Sequence, residues 1–309
     1  MTLSRRALIT AAILAPSAAR AAVPLRIGYQ KNGALLILKQ QRGLEPVLAP
    51  AGVAVEWFEF SSGPPMLEAL NAGGIDFAAT GDTPPIFAQA AGTDLLYVAY
   101  QPVPGRNSAI LVRDDGPIRT LADLKGRRVA FTKGSSAHNV VIQVLRRAGL
   151  DYRDITPAFL APADAAAAFR QGAIDAWAIW DPFYALAERD PGTRVLTTAV
   201  GIAPSNSFFL ASRALVRNRP EVLRAVIGES TRIAREIEAH LDDFARAMAA
   251  ATGIPEDIQR IAAARGNYEV SFLTAEAVAQ QQAIADTFFA LRLIPTAIRV
   301  RDAMWSPSA

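Results

Sequence analysis

The chain has 309 residues, of which 51% are hydrophobic and 20% are charged, and it contains no cysteine. This much apolar sequence is enough to form the cores of roughly two domains of ordinary size, which excludes an intrinsically disordered protein. The absence of cysteine excludes a disulfide framework, a thiol nucleophile and a lipid-modified cysteine after a leader.

The formal net charge of +3 comes from the first 21 residues, which hold Arg5, Arg6 and Arg20 but no acidic residue. Without that segment, 29 basic side chains face 29 acidic ones, so the rest of the chain is formally neutral. A neutral body lacks the positive field on which binding to nucleic acid or to an anionic membrane surface depends. We therefore expect neither of these partners.

Residues 1–21 have the features of a secretory signal peptide in the right order. Arg5 and Arg6 form a positively charged start, an apolar stretch follows at 7–15, and Ala19-Arg20-Ala21 fits an A-x-A cleavage site. The stretch is too short to span a bilayer, which takes about 20 apolar residues. We expect export to the periplasm, by the general or the twin-arginine route, and a mature protein that does not span the membrane.

Short β-rich runs alternate with helix-like segments between residues 25 and 198, which predicts an α/β fold with largely parallel sheets. From Pro220 onward the pattern is almost entirely helical, and Pro220 and Pro255 stand at helix starts, where a missing N–H costs nothing. The predicted strands are 25–29, 53–60, 75–80, 95–100, 107–113, 128–132, 155–160, 174–180, 194–198 and 207–213, and the predicted C-terminal helices are 220–240, 241–251, 255–264 and 274–293.

The sequence contains two pairs of similar segments, and the members of each pair are separated by nearly the same number of residues. Residues 26–33, RIGYQKNG, resemble residues 128–135, RVAFTKGS, and the segment that ends at Asp82 resembles the one that ends at Asp181. Chance explains either pair alone in an alanine-rich chain, whereas two pairs in the same order indicate a duplicated lobe. We expect lobe I at 22–110 and 210–309, lobe II at 111–209, and hinge strands at 107–113 and 207–213.

The turn after the predicted strand 128–132 contains Gly134, Ser135 and Ser136 and leads into a predicted helix at 137–148. The first N–H groups of a helix lack internal partners, and together with the helix dipole they suit an anion. On this turn alone, ordinary capping by serine is the better explanation. Ligands in such folds lie outside the carboxyl ends of strands, so the turn is a candidate site.

The first half offers matching turns. Gln30 and Asn32 follow the first predicted strand and supply uncharged donors, which can bind an oxyanion without a competing charge. Thr80 ends the third predicted strand, and Gly81 and Asp82 follow it. Asp82 either caps the next helix or balances the charge of a ligand ammonium group, and both alternatives stay open.

Trp180 and Asp181 occupy the equivalent turn in the second half, where the indole either forms an apolar wall or belongs to the core. Motifs for metal binding, dinucleotide binding or a serine-hydrolase elbow do not occur. A Ser/His pair between Ser135 or Ser136 and His138 is conceivable, but residues this close on one helix start rarely align a nucleophile with a base. The pattern favours reversible binding over catalysis.

Four stretches, 25–31, 80–98, 122–139 and 172–183, resemble the periplasmic solute-binding proteins of ABC importers, specifically the aliphatic sulfonate-binding type. The resemblance implies a type II two-lobed α/β fold, in which mixed sheets flanked by helices and joined by two hinge strands close around a small oxyanion. It further implies no enzymatic activity and no cofactor, a monomer, and an ABC permease with its cytoplasmic ATPase as partner.

By position, the resemblance assigns the cleft lining to a set of polar and aromatic residues. They are Gln30, Thr80, Asp82, Ser135, Ser136 and Trp180. Asn32, Gly81, Gly134 and Asp181 complete the predicted site from the turns around them. The segments 32–36, 101–105 and 204–207 depart from the family pattern, the last two as individual loops, and leave the organic tail of the ligand open.

Other solutes and classes of protein remain as alternatives. Relatives of this type bind taurine, nitrate or thiamin precursors. Desulfinase-like hydrolases of similar fold use a cysteine nucleophile, which this chain lacks, and thiamin-precursor synthases depend on histidines, of which it has two. A sensor domain would use the same cleft but would pass its ligand to a receptor.

Overall fold

The computed structural model describes residues 23–203 and 205–306, so the predicted signal peptide at 1–21 lies outside the described residues. The strands are β1 (Leu25–Tyr29), β2 (Val55–Glu59), β3 (Phe77–Thr80), β4 (Leu95–Val103), β5 (Ser108–Arg113), β6 (Arg128–Phe131), β7 (Thr156–Phe159), β8 (Ala176–Trp180), β9 (Thr193–Thr198) and β10 (Ser205–Ser212). The α-helices are α1 (Gly33–Gln41), α2 (Glu45–Leu48), α3 (Gly63–Asn71), α4 (Thr83–Ala90), α5 (Ser136–Arg147), α6 (Pro162–Arg170), α7 (Phe183–Glu188), α8 (Arg213–Asn218), α9 (Pro220–Ala239), α10 (Leu241–Thr252), α11 (Glu256–Arg265) and α12 (Ala275–Ala290).

The strands form two five-stranded mixed sheets of the same topology. The first has the order β2-β1-β3-β10-β4 and the second the order β7-β6-β8-β5-β9. In each, three neighbouring strands are parallel, and the strand contributed from elsewhere in the chain, β10 or β5, runs antiparallel to both of its neighbours. Each sheet with its helices is one lobe, and the matching strand orders confirm the predicted duplication.

The repeated Ile-Asp pair has a structural role in both lobes. The carboxylate of Asp76 accepts the backbone N–H of Arg26 at 2.9 Å, and that of Asp175 accepts the backbone N–H of Arg128 at 2.7 Å. In each lobe the aspartate precedes the third parallel strand and fixes the start of the central one. Because this bond aligns two neighbouring strands, it explains the similarity of the two segments without any ligand.

Helices cover both faces of each sheet. Side chains alternate between the faces, so that Phe209 joins the apolar cluster under α1 and α9, whereas Phe208 joins the cluster under α4 and α12. Residues of the C-terminal helices thus belong to the apolar clusters on the two faces of the first sheet. Within the described residues, none of the helices has both the length and the apolar character that crossing a bilayer requires.

The structure corrects the predicted hinge strands at 107–113 and 207–213. Strand β5 is hydrogen-bonded to β8 and β9, and β10 to β3 and β4, so each is an interior strand of one sheet. A strand paired on both sides cannot absorb a rotation between lobes. The chain crosses instead through residues 104–107 and after the end of β9, and the predicted lobe boundaries after residues 110 and 209 fall inside β5 and β10.

The predicted loops at 101–105 and 204–207 also differ from the structure. Gln101 to Val103 extend β4, and Ser205 to Ser207 begin β10, with Asn206 opposite Pro102. Because β4 is an edge strand, Pro102 can lie in it without removing a hydrogen bond from the sheet.

Candidate functional site

A cleft of about 190 Å³ lies between the two lobes, at the carboxyl ends of β1, β3 and β8. This is where ligands bind in open α/β sheets. Eight of the ten predicted site residues line the cleft, namely Gln30, Asn32, Thr80, Gly81, Ser135, Ser136, Trp180 and Asp181. The structure does not place Asp82 and Gly134 among the lining residues.

Three helix N-termini reach this cleft. Asn32 precedes α1, Gly63 is the first residue of α3, and Ser135 precedes α5, and all three residues line the cleft. None of the three helices has a side-chain cap at its first turn. Uncapped N–H groups and the positive ends of the helix dipoles therefore create a site for an anion. Among the lining residues that the structure describes, there is no lysine, arginine or histidine.

The start of α5 shows which donors are available. The hydroxyl of Ser135 donates to the carbonyl of Thr132 at 2.7 Å, so this hydroxyl is already bound to the protein. The backbone N–H groups of Ser136 and Ala137 find no acceptor among the described residues. The backbone of α5, rather than the Ser135 side chain, thus offers free donors to a ligand.

Asp82 is fully buried behind the cleft and connects the two lobes. Its Oδ2 accepts hydrogen bonds from Asn139 on α5 at 3.1 Å and from Ser205 at 2.8 Å, and its Oδ1 accepts one from Thr83 at 2.7 Å. Burial raises the pKa of the Asp82 carboxyl, while these hydrogen bonds lower it. Its carboxylate faces no open space and caps no helix, because other side chains surround it. The sequence alone could not predict which side chains these are.

Gly134 shapes the turn before α5 from outside the cleft. Its φ of +73° belongs to the left-handed region, which favours glycine. A methyl group on this residue would lie 3.4 Å from the ring of Phe87, a residue of the other lobe. Gly134 therefore contributes a close approach between lobes rather than a contact with ligand.

His138 does not form a catalytic pair with either serine. Its Nδ1 accepts the N–H of Gly134 at 3.2 Å, and its Nε2 lies 3.0 Å from the hydroxyl of Tyr152. Burial, aided by Lys133, lowers the pKa of the imidazole to about 3. A neutral ring with both nitrogens occupied cannot serve as a base for Ser135.

Asp181, unlike its counterpart in the first lobe, both caps a helix and lines the cleft. Its Oδ1 accepts the N–H of Ala185 in α7 at 2.9 Å and lies 3.5 Å from Nη1 of Arg265 in the other lobe. Burial raises the pKa of this carboxyl to about 6, although Arg265 opposes the rise. The half-buried Trp180 beside it lines the cleft as an apolar wall.

The sequence analysis missed several lining residues. Gly63 had a usable signal, since Ser62-Gly63-Pro64 follows a strand and proline is typical of the first positions of a helix. Residues contributed by α1, β10, α10, α11 and the loop after α11 had none, because they follow no motif. They include Leu35, Phe209, Phe244, Met248, Gln259 and Tyr268, and the first four give the cleft an apolar side.

Comparison with known proteins agrees with this geometry. Residues 48–240 match the family described as NMT1/THI5 like. A protein of Escherichia coli (strain K12), provisionally named an aliphatic sulfonates-binding protein, is 40% identical over 97% of this chain and 94% of its own length. A Bacillus subtilis (strain 168) protein with the same provisional name is 30% identical over 90% of this chain and 84% of its own.

A solved structure extends the comparison to the fold. The alkanesulfonate-binding protein SsuA from Xanthomonas axonopodis pv. citri, bound to MOPS, superposes with a TM-score of 0.86 at 42% identity, covering 91% of this chain and 98% of that one. The predicted two-lobed α/β fold and the resemblance to the sulfonate-binding type are thereby confirmed. These relatives are named as binding proteins and not as enzymes. The chain belongs to the NMT1/THI5-like family.

Proposed function

We propose that this chain is the substrate-binding component of an ABC importer and that it binds an aliphatic sulfonate between its lobes. One observation carries the proposal: three uncapped helix N-termini meet in a cleft whose described lining residues include no basic side chain. A sulfonate stays ionised at any physiological pH and has no proton to donate. It therefore suits a site made of N–H, hydroxyl and amide donors.

The apolar side of the cleft suits the rest of such a ligand. Leu35, Phe209, Phe244 and Met248 line the same space as the polar turns. An alkyl chain that leaves water for this surface gains about 0.8 kcal/mol per buried methylene group. The cleft thus combines an anion site with room for a short aliphatic tail.

Closure of the lobes would strengthen the binding. Gly81 in the first lobe and Ser136 in the second approach so closely that a methyl group on Gly81 would lie 1.9 Å from Ser136 Oγ. Closure removes water from the anion site, and the crossings near 104–107 and after β9 absorb the rotation. The closed form would then be recognised by the permease with its ATPase. The signal-peptide pattern at 1–21 supports this role in the periplasm, and the proposal takes the protein to act as a monomer.

Calorimetry of the mature protein with ethanesulfonate, taurine, nitrate and sulfate tests the proposal. We expect heat of binding from sulfonates, with the released ligand chemically unchanged by mass spectrometry after hours of incubation. Absence of binding for every sulfonate would refute the proposal, and so would conversion of the ligand.

A matched pair of variants tests whether the start of α5 holds the anion. Ser136→Pro removes one backbone N–H at a position where proline is compatible with a helix, and Ser135 already has the extended conformation required before proline. Ser136→Ala removes only the hydroxyl. We expect the proline variant to bind sulfonate at least about tenfold more weakly than the alanine variant, as for a lost charge-assisted hydrogen bond. Equal affinities would exclude this N–H as an anion donor.

A further inference from the structure

We propose that Asp181, together with the rings of Trp180 and Tyr268, forms a cation-binding end of the cleft. This end would select sulfonates that carry a protonated amine over plain alkanesulfonates. The inference rests on the proposed function and adds the class of substrate to it.

The first observation is an unsatisfied acceptor. Asp181 lines the cleft but is only 8% exposed, and its Oδ2 is buried without a hydrogen-bond partner among the described residues. Its other oxygen accepts the N–H of Ala185 at 2.9 Å. A buried acceptor without a partner is costly. An N–H donor on a ligand would satisfy this oxygen.

The second observation is the charge around Asp181. Arg265 lies 3.5 Å from its Oδ1, but the same guanidinium also pairs with Glu188 at 2.5 Å and covers the ring of Tyr184 at 4.1 Å from its centroid. When ionised, the two carboxylates and one guanidinium carry a net charge of −1. Within the described residues, the exposed Arg106 side chain donates hydrogen bonds to the backbone carbonyls of Arg265 and Gly266. The excess of one carboxylate favours a cation at this end of the cleft, beside Nη1 of Arg265, which is itself buried without a hydrogen-bond partner among the described residues.

The third observation is the aromatic lining. Trp180 and Tyr268 face the same cleft as Asp181, and the hydroxyl of Tyr268 is directed away to the carbonyl of Ala263 at 3.3 Å. Aromatic faces beside a carboxylate are a common arrangement for binding an ammonium group. With the sulfonate at the helix N-termini, the amine of a zwitterionic ligand would lie against this carboxylate.

Pairs of ligands that differ only in the amine test the proposal. Taurine matches propane-1-sulfonate, and 3-aminopropane-1-sulfonate matches butane-1-sulfonate, because –NH₃⁺ replaces –CH₃ in each pair. We expect the mature wild-type protein to bind each aminosulfonate at least about tenfold more tightly than its partner. Asp181→Asn should reduce this ratio by at least about tenfold, through loss of aminosulfonate affinity alone. Asp164→Asn, a change of an exposed carboxylate in the same lobe, should leave the ratio unaltered.

A measurement on the wild-type protein tests the same proposal without any substitution. The ratio should fall between about pH 8 and pH 5, because the Asp181 carboxyl, with its pKa raised to about 6, gains a proton while the amine keeps its own. The titratable groups that face it are Arg265 and Tyr268 on one side and Tyr184 and Glu188 on the other.

The possible results separate the two proposals. Equal affinity within both ligand pairs, or a ratio that Asp181→Asn does not change, would overturn the cation site and leave sulfonate binding intact. Failure of all four sulfonates to bind would overturn the proposed function as well. A ratio above about tenfold that Asp181→Asn and acid both abolish would establish the cation site.

Discussion

Replacing Asp181 by asparagine should make the protein more stable at neutral pH. The pKa of this carboxyl is raised from 3.8 to about 6, mainly because burial disfavours its charged form. A rise of about two pKa units corresponds to about 3 kcal/mol of free energy of unfolding, an order-of-magnitude value. Asparagine keeps the shape and the acceptor for the N–H of Ala185 but carries no charge.

The sign of the effect follows from proton binding. A carboxyl whose pKa is raised in the folded state holds its proton more tightly there than in the unfolded state. Its contribution to stability is therefore fully present below about pH 4 and is lost as the pH rises through about 6. The wild type should lose about 3 kcal/mol relative to Asp181→Asn over this interval, and the difference should stay constant above it.

Urea unfolding of both proteins from pH 3.5 to pH 8, followed by circular dichroism, measures this difference. Asp164→Asn is the control, because it makes the same change at an exposed carboxylate of the same lobe. If the difference between wild type and Asp181→Asn were independent of pH, the desolvation of this carboxyl would be refuted. A difference of opposite sign would show that Arg265 outweighs burial.

Three further predictions concern single positions. Gly81→Ala should weaken sulfonate binding about tenfold with little loss of stability, because the new methyl group would collide with Ser136 across the cleft. Unchanged affinity by calorimetry would show that binding does not require this close approach of the lobes. Gly228 lies in the middle of α9 with open space around it, so Gly228→Ala should raise the free energy of unfolding by about 0.5–1 kcal/mol without changing affinity. A lower free energy of unfolding, measured with urea, would contradict this. The imidazole of His138, with its pKa lowered to about 3, should stay neutral from about pH 5 to 8, so a shift of its ring-proton NMR signals in that range would contradict its burial.

Local sequence patterns predicted most of the architecture. The alternation of apolar runs and turns located all ten strands, and two similar segments in each half indicated the duplicated lobe that both strand orders confirm. The candidate site was predicted by the same reasoning, because a turn after a buried strand lies at the carboxyl end of a sheet. Eight of the ten predicted residues line the cleft for this reason.

Tertiary structure decided what neighbours in the chain cannot determine. Asp82 and Asp181 stand at equivalent positions of the two repeats, yet Asn139 and Ser205 surround the first, whereas the second lines the cleft and its buried Oδ2 has no hydrogen-bond partner among the described residues. Residues 205–207 of a predicted loop instead begin β10, because they pair with β4, about a hundred residues earlier. The sequence alone therefore determined the repeated strands and turns, which depend on short-range periodicity. Which aspartate lines the cleft, and where the chain crosses between the sheets, depend on contacts between distant segments.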